Sequence, residues 1–315
     1  MRKLRIVFMG TPDFAVASLQ RIVEAGYEVA GVITAPDRPA GRGRKLQESA
    51  VKKYAAKKGL QVLQPTNLKS EKFLQKLRGL EANLQVVVAF RMLPEVVWKM
   101  PEFGTFNLHA SLLPQYRGAA PINWAVINGE TETGVSTFFI DEKIDTGEMI
   151  FQERVAIAPN ESAGSLHDKL MSTGSDLVIK TLKALEKGPV DTSSQKEARD
   201  LKTAHKLDKE NTRINWSDSI ANIYNHIRGL SPYPAAWTML TNGNEEMMLK
   251  IYETEKIPAE HDLPEGKVIS EEKEVKVAVE GGYIKLLEIQ LPGKRKMKTK
   301  ELLNGYKFYP NANLR

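Results

Sequence analysis

The sequence predicts an α/β chain in which a doubly wound, mostly parallel sheet is followed by a smaller β-barrel-like domain. Three features lead to that expectation. The first half alternates short apolar runs with helical patterns, the last third turns to strand-and-turn texture, and a polar stretch separates the two.

Apolar runs at 4–9, 29–33 and 84–89 each precede a helical pattern, at 14–25, 49–58 and 94–99. Such alternation puts parallel strands beneath helices on both faces, and ligands then gather at the carboxyl ends of the strands. A long helical pattern over 165–187, with Leu166, Leu170, Leu177, Leu182 and Leu185 among its apolar positions, stops at Gly188-Pro189. We therefore expect a first domain over 1–190, a linker over 191–207 and a second domain over 208–315. In that last part a helix candidate at 219–230 precedes strand-like runs at 235–240, 249–252 and 284–291. Between them lie the Asn242-Gly243 turn, the alternating Val275, Val277 and Val279, and Gly281-Gly282.

A length of 315 residues suits two domains. Lys and Arg number 45 against 39 Asp and Glu, a mild excess that leans toward polyanionic partners. The absence of cysteine excludes disulfides, thiolate nucleophiles and zinc-thiolate sites, and suits a reducing cytoplasm. No apolar run approaches the roughly 18 residues of a membrane span, and the N-terminal Met1-Arg2-Lys3-Leu4 lacks the pattern of a secretory signal.

The loop Gly10-Thr11-Pro12-Asp13-Phe14-Ala15 falls where a nucleotide-binding turn would fall. A dinucleotide fingerprint needs glycine at its third position for close backbone approach, and Pro12 stands there, which weakens a nicotinamide or flavin reading. Pro12 instead suits the first turn of a helix, with Asp13 near the positive end of its dipole. The densest polar cluster is Phe106-Asn107-Leu108-His109. In a strand, residues two apart share a face, so an amide and an imidazole stand side by side while Phe106 and Leu108 pack the other way. A satisfied core histidine is the plain alternative for His109 alone, but the pairing and the adjoining loop favour a site. Asp145, in a loop between apolar segments 135–139 and 149–155, reads by itself as a turn residue. Ser111 lacks a G-x-S-x-G elbow, and neither an H-E-x-x-H metal motif nor a phosphate-binding P-loop occurs.

Taken in order, GTPDFA at 10–15, PDRPAGRGRKL at 36–46, Asn107-x-His109-x-Ser111-Leu112-Leu113-Pro114-x-x-Arg117-Gly118-Ala119-Ala120-Pro121-Ile122 and Asp145-Thr146-Gly147 closely resemble the methionyl-tRNA formyltransferase family over nearly the whole chain. The resemblance implies a formyltransferase-type doubly wound domain and a second domain similar to the oligonucleotide-binding (OB-like) barrel. It implies a catalytic trio of Asn107, His109 and Asp145. It also implies folate contacts along Ser111, Leu112, Leu113 and Pro114, 10-formyltetrahydrofolate as donor, and no metal. One departure stands out: Arg91 follows Phe90 where many members carry glycine, in a loop that borders the pterin pocket of related enzymes.

On this reading the chain formylates the amino group of methionyl-initiator tRNA in the cytoplasm, as a monomer with no membrane partner. The acceptor stem would meet the basic loop of Arg38, Arg42, Arg44 and Lys45, with Arg42 foremost, and a second cluster, Lys294, Arg295, Lys296, Lys298 and Lys300. Asn107 would donate to the developing oxyanion, and His109 would take the amine proton or, held protonated by Asp145, share in that stabilisation. The competing readings are a formyltransferase acting on a sugar-nucleotide amine and a non-catalytic RNA-binding protein.

Overall fold

A computed structural model describes residues 2–40, 45–196 and 200–315. The chain divides into two compact units: Met1–Gly118 with Glu132–Ala156 and His167–Thr203, and Ala119–Thr131 with Ile157–Leu166 and Ala204–Arg315.

In chain order the elements run β1 (Arg5–Gly10), α1 (Asp13–Glu24), β2 (Glu28–Ile33), β3 (Arg38–Ala40), β4 (Lys45–Gln47), α2 (Ala50–Lys57), β5 (Val62–Leu63), α3 (Glu71–Arg78), β6 (Leu84–Val88), α4 (Glu95–Trp98), β7 (Thr105–His109) and β8 (Arg117–Gly118). There follow α5 (Pro121–Ile127), β9 (Glu132–Phe139), β10 (Met149–Ala156), α6 (Ala163–Lys187), β11 (Thr203–Ala204), α7 (Ile220–Leu230), β12 (Ala236–Asn242), β13 (Glu245–Pro258), β14 (Val268–Glu271), β15 (Glu274–Val279), β16 (Gly282–Gln290), β17 (Met297–Lys298), α8 (Thr299–Leu302) and β18 (Asn313–Leu314).

The first unit holds a seven-stranded sheet in the order β10-β9-β7-β6-β1-β2-β5. The strands from β7 to β5 are parallel neighbours, and β9 and β10 close one edge antiparallel. The doubly wound, mostly parallel sheet is therefore as expected. β6 reads Leu-Gln-Val-Val-Val with all five residues buried; a strand covered on both faces has no need of polar alternation. The chain winds outward through β2 and β5, then returns to β6 on the other side of β1, so the strand order reverses between β1 and β6. A crevice opens at such a reversal. Pro12 is the N-cap of α1, one position before the first helical turn, and Asp13 opens that turn. Behind β7, Gly174 of α6 faces Leu108: a Cβ there would lie 2.9 Å from its Cδ2. That leaves the Asn107 and His109 face of the strand to the loops.

The second unit is a barrel-like antiparallel sheet in the order β14-β15-β16-β13-β12-β18, with β17 on β16. A bridge between Lys267 and Asn313 brings its two ends nearly together. Ser219 caps α7, its hydroxyl accepting from the Asn222 N–H at 3.2 Å. One stripe of that helix, Ile223, Ile227 and Leu230, packs into the sheet core with Ile251, Val277, Ile284 and Leu286. Gly243, at φ +64°, turns β12 into β13 as the Asn-Gly pair indicates. β14 is a strand with no counterpart among the sequence patterns. Its turn into β15 uses Glu272 and Lys273, both with positive φ (43° and 69°), where a tight hairpin ordinarily recruits Asn and Gly.

On α7 the Nε2 of His226 is shielded from water and has no hydrogen-bond partner among the described residues. Burial holds this imidazole below its ordinary range, the carbonyls of Thr212 and Arg213 opposing the shift. A histidine kept neutral in the fold costs nothing above its unfolded pKa and costs stability as the pH falls below it, because the unfolded chain then binds the proton more readily. Denaturant titrations at about pH 8 and about pH 5.5 should therefore show an acid-side loss of stability that His226→Asn reduces.

Candidate active site

Asn107 and His109 occupy the carboxyl end of β7, and their neighbours Phe106 and Leu108 are buried on the opposite face. His109 is itself buried, and Asn107 half-buried. The loop after β7 reverses so that the Tyr116 carbonyl lies 2.8 Å from His109 Nε2. A carbonyl can only accept, so Nε2 carries the proton, and the basic lone pair of a neutral imidazole sits on Nδ1. Asp145 Oδ2 stands 3.8 Å from that Nδ1 and accepts the Gly118 N–H at 3.0 Å. The structure thus brings His109 and Asp145 together from β7 and the loop between β9 and β10, with Asn107 on the histidine's own strand face. Among the described residues the Asn107 side chain has no hydrogen-bond partner, leaving its amide open to a ligand.

The intervening loop is fixed from beneath. Ser111 Oγ donates to the Gln115 carbonyl at 2.6 Å, Ser136 Oγ of β9 donates to the Ser111 carbonyl at 2.6 Å, and Gln152 Nε2 of β10 donates to the Leu113 carbonyl at 2.8 Å. Ser111 is fully buried, and Leu113 packs on Phe138 and Met149. Of the four residues expected to meet folate, the side chains of Ser111 and Leu113 point inward and those of Leu112 and Pro114 are half-buried. Tyr116 and Asp145 both adopt left-handed backbone, at φ 59° and 55°, as does Ala89 at the end of β6 with φ 47°. Such conformations cost non-glycine residues on the order of 1–3 kcal/mol and persist where surrounding contacts enforce them.

Gln195 is a site neighbour that sequence reasoning misses, because it lies in the polar stretch read as linker. Its Oε1 accepts from Arg117 Nε and Nη2 at 3.1 and 2.7 Å, and its Nε2 donates to the carbonyls of Asp145 and Gly147, both at 2.9 Å. Arg91, the departure in the loop after β6, directs its guanidinium onto the carbonyls of Pro65 and Thr66. Burial, together with nearby Arg38, holds that guanidinium below its ordinary pKa.

The basic loop after β2 is a short hairpin whose stem is β3 and β4. Its base is anchored by Asp37, which pairs with Lys52 and accepts from Gln64 Nε2 at 2.7 Å. Lys52 and then Gln64 hold the Asp37 carboxyl below its ordinary range. Arg38 is exposed in the stem, whereas Arg42 and Arg44 fall outside the described residues and Lys45 is described by its backbone. In the second cluster Lys296 pairs with Glu288 at 2.8 Å and Lys298 with Glu253. Lys294, Arg295 and Lys300 are exposed and have no ion pair among the described residues. Also among the described residues, no group of three or more His, Asp and Glu gathers as a metal site, and no helix is long and apolar enough to cross a membrane.

The chain belongs to the formyl transferase family. The formyl transferase profile matches residues 4–182, and the profile of its C-terminal domain matches residues 206–307. Among its relatives is the methionyl-tRNA formyltransferase of Flavobacterium johnsoniae, 60% identical over 314 residues and covering 100% of both chains. The methionyl-tRNA formyltransferase of Bacteroides fragilis is 56% identical over 96% of this chain and 95% of its own. In fold the chain is similar to WlaRD, a sugar 3N-formyltransferase solved in the presence of dTDP and 5-N-formyl-THF. The TM-score is 0.65 at 20% identity, over 94% of this chain and all of that one.

Gly147 lies so close to β9 that a Cβ would fall 1.7 Å from the Phe139 carbonyl oxygen. Gly147→Ala must displace the loop that bears Asp145. We expect a loss of about 1–3 kcal/mol in denaturant unfolding, as for other overpacked sites, accompanied by loss of activity.

Proposed function

We propose that the chain transfers the formyl group of 10-formyltetrahydrofolate to the free amino group of methionyl-initiator tRNA, yielding N-formylmethionyl-tRNA and tetrahydrofolate, in the cytoplasm. The observation that carries the proposal is the placement of His109 between the Tyr116 carbonyl and the Asp145 carboxylate. With Nε2 committed to the Tyr116 carbonyl, the free lone pair lies on Nδ1, beside the Asp145 carboxylate. A proton arriving there creates an ion pair in a site largely closed to water, where it is screened less than at the surface.

The reaction needs no enzyme nucleophile. An α-amine titrates at about 7.7–8.0, so a useful fraction is neutral at cellular pH. As the amine nitrogen bonds to the formyl carbon, the Asn107 amide donates to the oxygen that becomes anionic. His109 takes the proton the amine loses, Asp145 stabilises the resulting cation, and the proton passes to N10 of the folate as its bond to the formyl carbon breaks. Folate contacts along residues 111–114 come from main chain and from the half-buried Leu112 and Pro114, with Ser111 and Leu113 holding the loop in shape.

Transfer to a sugar-nucleotide amine shares the fold. The relatives named for methionyl-tRNA, more than half identical across both domains, favour the tRNA substrate. In the second unit Lys294, Arg295 and Lys300 are the cations offered to phosphate, and Arg38, Arg42, Arg44 and Lys45 do the same from the N-terminal hairpin.

Asn107→Ala and His109→Ala should each lower kcat for formylation of charged initiator tRNA by a hundredfold or more, on the order seen when one oxyanion donor is removed. Filter binding should find tRNA affinity nearly intact; near-normal turnover in either variant would refute the role given to that residue. Replacing Lys294, Arg295 and Lys300 together with Ala should flatten the dependence of log Kd on log salt, by up to about 0.9 for each phosphate no longer neutralised. Replacing Lys296 and Lys298, which already face glutamates, should flatten it less.

A further inference from the structure

The segment after α6 is held along the loop that bears Asp145. Ser193 and Met149 exchange both backbone hydrogen bonds, at 3.0 and 2.8 Å, and Thr192 Oγ1 donates to Glu148 at 2.5 Å. Two residues further on, Gln195 spends its whole amide on two strands of chain. The oxygen takes two donors from Arg117, and the nitrogen gives to the carbonyls of Asp145 and Gly147. The amide can face only one way, since reversal would set donors against Arg117 and an oxygen against two carbonyls.

The two pieces of chain joined this way are those that flank His109. Arg117 sits between Tyr116, whose carbonyl fixes Nε2, and Gly118, whose N–H holds Asp145 Oδ2. Both Tyr116 and Asp145 have left-handed backbone that a side chain disfavours, so each needs restraint from outside its own turn. Gln195 restrains Asp145 directly through the carbonyl and Tyr116 at one remove through Arg117.

We infer that Gln195 is a positioning residue for formyl transfer, setting the separation of the Asp145 carboxylate from His109 by tying the Asp145 loop to Arg117. The inference rests on the proposed roles of His109 and Asp145. A shift of about 1 Å in such a pair is enough to cost on the order of a hundredfold in rate.

The test is a double-mutant cycle under single-turnover, saturating conditions, with Gln195→Leu, Asp145→Asn and the double variant, each checked for native circular dichroism and thermal midpoint. Gln195→Leu should lower the rate about ten- to a hundredfold, with the Kd for charged tRNA, from filter binding, unchanged. In the Asp145→Asn background it should change the rate less than about twofold, because the carboxylate it positions is already gone. Gln195→Glu preserves shape and Arg117 pairing but loses both donors to the carbonyls, and should share the defect. It replaces Gln195→Leu in the cycle if the latter does not fold. Equal rate losses with and without the Asp145 carboxylate, or a Gln195 variant of normal rate, would overturn the inference. An Asp145→Asn enzyme of normal rate would instead overturn the catalytic reading beneath it.

Discussion

The hydrogen bond between His109 Nε2 and the Tyr116 carbonyl decides which nitrogen of the imidazole is basic, and much of the surrounding chain is arranged so that it can form. Residues 110–116 must leave the end of β7, reverse and return over His109. Their polar groups are met in turn by Ser111, Ser136 and Gln152. Ser136 and Gln152 come from β9 and β10, so the antiparallel edge of the sheet supplies the floor of the loop. A buried polar group left without its partner costs about 1–3 kcal/mol, which makes the network hold together or fail as a set.

The parts of this arrangement that follow from short-range periodicity are legible in the sequence. The two-residue spacing of Asn107 and His109 survives as a shared strand face because Phe106 and Leu108 are driven into the core. The helices at 13–24, 50–57, 163–187 and 220–230 stand within two residues of their patterns at either end, and Pro12 differs by one position at its cap. Asp145 is readable only through resemblance, since its place opposite His109 is set by contacts between segments far apart in sequence. Gln195 carries no signal: a single amide in a polar stretch has no period, and its importance lies wholly in what it touches. β14 is hidden because its turn is built from Glu272 and Lys273, residues that ordinarily argue against a tight hairpin.

Charge shows the same division between composition and structure. A run of Lys294, Arg295, Lys296, Lys298 and Lys300 reads as one basic patch, yet Glu253 and Glu288 from neighbouring strands engage two of the five. Exposed ion pairs of this kind contribute little stability, with a median of about 0–1 kcal/mol. Their effect here is to mask charge, so the field presented to a polyanion is narrower than the count suggests. At the other end of the chain, Asp37 acts by anchoring: caught between Lys52 and Gln64, it fixes the root of the hairpin that carries Arg38.

The left-handed backbone at Tyr116 and Asp145 costs stability at both positions, and at Asp145 the side chain that brings the cost is the one facing His109. Glycine would relax both positions, and at Asp145 it would delete the carboxylate that faces His109. Selection of this chain for heat resistance alone would favour glycine at these two positions, and at Asp145 that gain would remove the carboxylate beside His109. The stability forgone at Asp145 is inseparable from the presence of that carboxylate.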